Sequence, residues 1–291
     1  MGSVKIGFLG AGKMTESFVT GLTKFGGISA GQIFISAPSA KNTVKFKTLG
    51  CHITKRNIDL FGRYGCDIVF LACHGKVIGD CYSSGGSRPH PLCVNFIPNL
   101  KKPIHVLSLI SGWDLHAIKA VLLNPEHPKK YQLEAHRISA NPAVAYGVGI
   151  VSIDVDPESK KLSGLVRTLL SSVGSLEMVN SEQMDAACAV TGAGLSFSYY
   201  FTQAMADGAF KMGLARPMAN KFAAKIMESA AQAVLESGQH PSQLKDGVCG
   251  AGGPAIYGIH VLDKAEAASG IAAGVEAAFK RSQELAGKIH K

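Results

Sequence analysis

The amino-acid sequence predicts an α/β fold, with a doubly wound and mainly parallel sheet in the first part of the chain and an all-helical second part. Three observations carry that prediction. The first is Val4 to Thr15, V-K-I-G-F-L-G-A-G-K-M-T, where a short apolar run stops at Gly10-Ala11-Gly12 and a helical pattern begins near Lys13. The second is alternation: nearly continuous apolar runs such as Asp67 to Cys73 (DIVFLAC) recur between helical patterns, as parallel strands buried on both faces do. The third is a change of character at Ser181, after which strand patterns give way to helical ones rich in Ala, Gly and Met.

Gly10 permits a tight strand-to-helix turn and Gly12 lets backbone approach a diphosphate. The helix that follows offers unpaired N–H groups and a partial positive charge. This is the dinucleotide fingerprint of a Rossmann fold, with Thr15 where the third glycine stands. Lys13 to Lys24 carries Met14, Phe18, Val19 and Leu22 at helical spacing, and Gly26-Gly27 ends it. Gln32 to Ala37 is the second strand. At its end, where an acid takes the ribose 2′-hydroxyl of NAD, the chain reads Ser36-Ala37-Pro38-Ser39-Ala40-Lys41-Asn42, without an acid, which favours NADP(H) over a merely solvated turn. A short helix (Thr43 to Leu49), a short strand (Cys51 to Thr54) and the strand Asp67 to Cys73 follow.

Ser83 to Pro91 (SSGGSRPHP) reads as a loop. His105 to Leu109 is a strand running into Ser111-Gly112 and a helix over Asp114 to Leu123. His136 to Ser139 is a further strand, followed by Asn141-Pro142 and an apolar run to Ile153; a helix over Ser159 to Val173 and a strand over Ser175 to Val179 close this part. Ser181 then suits an N-cap for one long helix, Glu182 to Leu214, whose small residues invite close helix packing. Arg216-Pro217 opens the next helix, Gly238 ends it, and Ala265 to Lys288 is the last. Helices this apolar suggest a dimer interface, with a compact monomeric bundle as the other reading.

The 291 residues, 46% hydrophobic and 18% charged, can build a sizeable core without disulfides. The excess of 30 Lys+Arg over 21 Asp+Glu, +9, is scattered, with no basic block or interleaved aromatics, so it argues for a small anionic ligand rather than nucleic acid or a membrane surface. The seven cysteines (51, 66, 73, 81, 93, 188, 249) form no C-x-x-C pair and no zinc spacing, which suits reduced thiols in a cytoplasmic protein and no metal. The N-terminus enters a strand at once, leaving no room for a signal or transit peptide, and the apolar run Ala143 to Ile153 is too short to span a bilayer.

Two further segments, Val190 to Leu214 (VTGAGLSFSYYFTQAMADGAFKMGL) and Glu236 to Leu262 (ESGQHPSQLKDGVCGAGGPAIYGIHVL), join G-F-L-G-A-G-K-M at the start. Together they resemble the pyrroline-5-carboxylate reductases, in particular the shorter cytosolic type of animals, over nearly the whole chain. The resemblance implies a Rossmann domain over residues 1–180 and a helical dimerisation and substrate domain over 181–291. It also implies a homodimer that assembles into a ring of dimers, and NAD(P)H-dependent reduction of 1-pyrroline-5-carboxylate, an anionic cyclic imine, to L-proline. NADPH is the expected cofactor, with NADH as the alternative.

Carried over residue by residue, the resemblance places the cofactor on Leu9, Gly10, Ala11, Gly12, Lys13 and Met14. It places the 2′-phosphate at Ser36, Ala37 and Asn57. The family's Ala-Val-Lys-Pro is Ala72-Cys73-His74-Gly75 here, with His74 either a cation near phosphate or a plain surface histidine, and Ser111-Gly112 would face the nicotinamide. The substrate carboxylate would lie on Gly250, Ala251, Gly252, Gly253, Pro254 and Ala255, where the family has Ser/Thr-Pro-Gly-Gly-Thr-Thr. Pro254 has no N–H, and Ala255 lacks the hydroxyl that sits near the imine nitrogen in the family. The family's Ser-Gly-Ser-Gly-Pro is likewise Thr191-Gly192-Ala193-Gly194-Leu195. No catalytic acid is assigned, because an iminium accepts hydride without one. Two other readings follow from these departures and from the fold: an NADPH-binding relative that has lost turnover, and another reductase or a 3-hydroxyacid dehydrogenase. The latter would need a Lys inside Glu182 to Phe210, where there is none.

Overall fold

The computed structural model describes residues 3–37, 39, 42–75, 103–122, 133–155 and 161–289. The loop expected at Ser83 to Pro91 lies outside them, as do Pro38, Ala40 and Lys41 and the outermost residues of the helices expected at Asp114 to Leu123 and Ser159 to Val173.

Eight strands form one sheet among the described residues: β1 (Ile6–Leu9), β2 (Ile33–Ser36), β3 (His52–Thr54), β4 (Ile68–Leu71), β5 (Ile104–Ser108), β6 (Leu133–Ala140), β7 (Gly149–Asp154) and β8 (Gly174–Val179). Their spatial order is β3-β2-β1-β4-β5-β6-β7-β8, so the chain starts in the middle and winds both ways. All neighbours run parallel except β6 and β7, which pair antiparallel through Ile138↔Ile153 and Ala140↔Val151. The α-helices of this part among the described residues are α1 (Lys13–Lys24), α2 (Val44–Thr48), α3 (Ile58–Phe61), α4 (Leu115–Leu122) and α5 (Gly164–Ser171).

The period-2 alternation of strand side chains divides each apolar run between two cores. Ile6, Phe8, Ile68 and Phe70 enter one, with Phe18 of α1 and Leu169 of α5. Leu9, Val69, Leu71 and Val106 enter the other, with Trp113 and Ile118. Phe8 stacks on Phe70 with centroids 4.7 Å apart and Phe18 tilts onto Phe70 at 5.0 Å. Each such ring, fully withdrawn from water, contributes about 1.5–3 kcal/mol.

Past residue 180 every element among the described residues is helical: α6 (Met184–Cys188), a π-helical turn (Ala189–Ala193), α7 (Gly194–Lys211), α8 (Arg216–Ser237), α9 (Pro241–Val248), α10 (Pro254–Lys264) and α11 (Ala267–Ile289). The single helix expected over Glu182 to Leu214 is therefore interrupted. Within the π-helical turn the Thr191 hydroxyl bonds both Ala187 O and Ser139 Oγ on β6, each at 2.8 Å. Nor is Ser181 the N-cap. Its hydroxyl donates to Asp154 Oδ1 at 2.7 Å, while Asn180 Oδ1 accepts the Gln183 N–H and Gln183 takes the cap position.

The chain divides into two compact units, residues 1–192 with 279–291, and residues 193–278. Inside the second, α7 and α8 meet through small side chains: Ala206, Ala219 and Ala223 are buried, with Ala209 and Leu214 against them. Arg216 ties the two helices, pairing with Asp207 at 2.5 Å and lying 4.1 Å over the Phe210 ring. Many large apolar side chains of this unit, among them Tyr200, Met212, Phe222, Leu235 and Tyr257, are exposed. No helix among the described residues is long and apolar enough to cross a membrane.

Candidate active site

The turn after β1 is fixed by backbone. Gly10 adopts φ +115°, its N–H donates to Ser36 O at 2.8 Å, and a Cβ on it would stand 2.4 Å from Ala72 O at the end of β4. Only glycine fits both requirements. Gly12 is the N-cap of α1, which opens without a side-chain cap, and a Cβ there would meet no atom within 4 Å. No protein group demands glycine at Gly12, so the residue fits a ligand that the backbone must approach closely. The uncapped N–H groups of Lys13 and Met14 and the positive end of α1 suit a diphosphate. Leu9 and Ala11 are buried beneath the turn, while Lys13 is exposed beside it.

One strand over, Ser36 is buried and its Oγ donates to Asn57 Oδ1 at 2.6 Å, across twenty-one residues of chain. With its oxygen engaged, Asn57 presents its NH₂ as a donor. Ala37 N–H is held by Thr54 O at 3.1 Å. Asp59, on α3, is 7% exposed and spent on the turn: it accepts from Thr54 Oγ1 at 2.7 Å and faces Arg56 Nε at 3.6 Å. Near the end of β2 the chain offers the Asn57 amide and the exposed Lys55 and Arg56. An open cleft of about 810 Å³ continues from there between α2 and β3, with Lys47 and Lys55 in its walls.

The remaining candidate residues lie along the same rim. Ala72 follows β4 and its N–H donates to Leu9 O at 2.9 Å. Burial pushes the Cys73 thiol up to about 11, so it stays neutral at ordinary pH, and His74 beside it is exposed. Ser111 is exposed and Gly112 buried, at φ +80°, just beyond β5. Leu9 to Met14, Ser36, Ala37, Asn57, Ala72 to His74 and Ser111-Gly112 all fall at the carboxyl ends of β1 to β5, where the winding direction reverses between β1 and β4.

The second glycine-rich turn opens α10. Gly250 N–H donates to Val248 O at 3.2 Å and Gly253 N–H to Gly250 O at 3.0 Å, with Gly252 at φ +71°. Gly253 is the N-cap, again without a side-chain bond, and Pro254 follows at the first helical position. Two of the four amides of Gly250 to Gly253 are spent inside the turn. Those of Ala251 and Gly252 remain, with the first helical amides of Ala255 and Ile256, as donors for an anion.

The chain matches two family models, one described as pyrroline-5-carboxylate reductase dimerisation over residues 181–285 and one as NADP oxidoreductase coenzyme F420-dependent over residues 5–95. It is 31% identical to pyrroline-5-carboxylate reductase 3 of Bos taurus over 285 residues, 97% of this chain and 85% of that one. This chain belongs to the pyrroline-5-carboxylate reductase family. Pyrroline-5-carboxylate reductase 2 of Homo sapiens is 28% identical over 97% of this chain and 84% of its own. Among solved structures, the Plasmodium falciparum pyrroline carboxylate reductase, crystallised with NADP bound, superposes with a TM-score of 0.79 at 22% identity, covering 98% of this chain and 99% of that one.

Against the pyrroline-5-carboxylate reductase pattern, a buried network at the end of β6 is the feature that sequence reasoning missed. Arg137, 9% exposed, pairs with Asp185 of α6 at 2.7 Å, and two residues on Ser139 bonds Thr191. A buried arginine inside a strand was the available signal. Asn141, just past the end of β6, is buried and its Oδ1 accepts the Ala143 N–H at 3.2 Å, shaping the turn that follows. Burial also raises the Cys188 thiol, against a lowering hydrogen bond from Ser139 and the nearby Arg137 charge. No cluster of metal-ligating side chains occurs among the described residues.

Proposed function

We propose that this protein reduces 1-pyrroline-5-carboxylate to L-proline with NADPH, NADH being the less favoured donor. The observation that carries the reading is that similarity to reductases of this name runs through both parts of the chain at once, 97% of it, rather than through the nucleotide fold alone. In this reading residues 1–180 hold the cofactor and 181–291 the substrate and the interface of a homodimer, assembled further into a ring of dimers. The free thiols among the described residues suit a cytoplasmic setting.

When bound, NADPH supplies the hydride. The chain's own residues bind and orient. Gly10 to Met14 receive the diphosphate on backbone N–H groups, and Ser36 holds Asn57 ready for the 2′-phosphate beside Ala37. Ala72, Cys73 and His74 bound the same crevice, and Ser111-Gly112 border the nicotinamide. Ala251, Gly252 and the first amides of α10 clamp the substrate carboxylate, with Gly250, Gly253, Pro254 and Ala255 shaping the turn. Hydride adds to the imine carbon of the iminium form, its π electrons pass to nitrogen, and the product is a neutral secondary amine that takes a proton from water. Orientation and exclusion of water supply the acceleration, without a side-chain acid.

The test is steady-state consumption of NADPH on adding 1-pyrroline-5-carboxylate, for wild type, Gly253→Ala and Gly253→Asp. A Cβ at Gly253 approaches Gly250 O to 3.1 Å, so the alanine variant measures that crowding by itself. Like-charge repulsion in the aspartate variant is expected to raise KM at least tenfold beyond it. Equal KM values in the two variants would place the substrate elsewhere.

A further inference from the structure

Thr15, the residue that breaks the dinucleotide fingerprint, is built into the turn it interrupts. It is fully buried in the first turn of α1. A helical threonine ordinarily bonds a carbonyl three or four residues back, as Thr23 does with Val19 O at 2.8 Å. Thr15 reaches five residues back, out of the helix, and its Oγ1 donates to Gly10 O at 2.9 Å. The N–H of Gly10 is already held by Ser36 O. Both polar groups of Gly10 are therefore engaged, one by the end of β2 and one by α1.

This matters for an anionic ligand. A carbonyl in a phosphate-binding turn that is not held can swing its negative end toward the phosphates, and each turn amide that reorients on binding costs ordering entropy. We propose that Thr15 is a positioning residue for the diphosphate-binding turn: its hydroxyl keeps the Gly10 carbonyl facing into the protein, so that Gly10 to Gly12 presents N–H donors in the binding conformation before the cofactor arrives. The inference rests on the cofactor reading above. It concerns a residue at the position that the fingerprint reserves for a small one, where a hydroxyl does work that glycine does not.

The experiment is a fluorescence titration of NADPH, with competition by 2′-AMP, into wild type, Thr15→Val, Thr15→Ala and Thr15→Ser. The melting temperature of each unliganded protein is measured alongside. Valine keeps the volume and removes the donor; alanine removes the donor without adding a methyl; serine keeps the donor. The Kd for NADPH is expected to rise about three- to tenfold in the valine and alanine variants, one hydrogen bond's worth, and to stay near wild type in the serine variant. 2′-AMP, which carries no diphosphate, is expected to bind all four alike. Wild-type NADPH affinity in Thr15→Val or Thr15→Ala, or an equal loss for 2′-AMP, would overturn the inference and leave Thr15 a packing residue. If valine does not fold, the alanine and serine pair decides it alone. Failure of the wild type itself to bind NADPH would overturn the cofactor reading and this inference together.

Discussion

The two parts of the molecule are built on opposite principles. The α/β part buries its aromatic and branched side chains on both sheet faces, with Phe8, Phe18, Phe70 and Trp113 withdrawn from water. The 193–278 unit buries alanines and leaves Phe222, Leu235, Met212 and Tyr257 exposed, at 53, 80, 77 and 70%. A helical unit that spends its small residues on internal contacts and its large ones on the surface has the composition of half an interface. The glycine turns follow the same division. The turn at Gly10 is gripped by β2, β4 and α1, whereas a Cβ at Gly250 or Gly252 would meet nothing within 4 Å. The first turn is held by other elements of its own unit, and the second by backbone bonds within the turn itself.

That contrast can be broken by giving both parts the same lesion. Phe70→Ala is expected to cost about 3–5 kcal/mol of stability, the same at every protein concentration, because ring and cavity are internal. Phe222→Ala is expected to act through association: its midpoint in denaturant falls at low protein concentration and recovers at high, with the molar mass by light scattering falling in step. A concentration-independent loss at Phe222 would make the helical part a self-sufficient bundle.

Smaller effects sharpen the contrast at the turns. Gly10→Ala forces a Cβ to 2.4 Å from a backbone oxygen at φ +115° and is expected to abolish measurable NADPH binding. Gly252→Ala meets only left-handed backbone strain, about 1–2 kcal/mol, and is expected to raise the substrate KM several-fold while NADPH affinity holds. Ala255→Thr restores the hydroxyl typical of the family and is expected to raise kcat/KM about tenfold, the value of one hydrogen bond to a charged group. The smallest effect is on pH. Burial raises the Cys51 and Cys73 thiols to about 11, above their value in the unfolded chain, so both are neutral in the fold. The stability they carry is complete below about pH 9 and is lost as pH rises toward 11, which urea midpoints across that window would register, with thiol alkylation negligible below it.

Much of the α/β part was legible because its signals are local. Lys13 to Lys24 is helical over the very span that spacing and Gly26-Gly27 marked, and β2, β4, β5 and β8 lie within two residues of their expected places. What escaped is set by distant partners. β7 hides in an apolar run that Gly147, at φ +75°, divides from a 3₁₀ turn at Pro142–Tyr146, and its antiparallel pairing to β6 has no sequence period. The π-turn at Ala189–Ala193 carries Thr191, whose hydroxyl bonds Ser139, fifty-two residues away. At the site, the two glycine turns announced themselves, but the Ser36–Asn57 bond and the division of the Gly250–Gly253 amides between internal and free donors needed three dimensions.

The most direct measurement is product stoichiometry: purified protein, NADPH and 1-pyrroline-5-carboxylate, with nicotinamide absorbance and L-proline quantified in the same sample. One L-proline is expected for each NADPH consumed. NADPH that binds but is not consumed, with no L-proline formed, would contradict it.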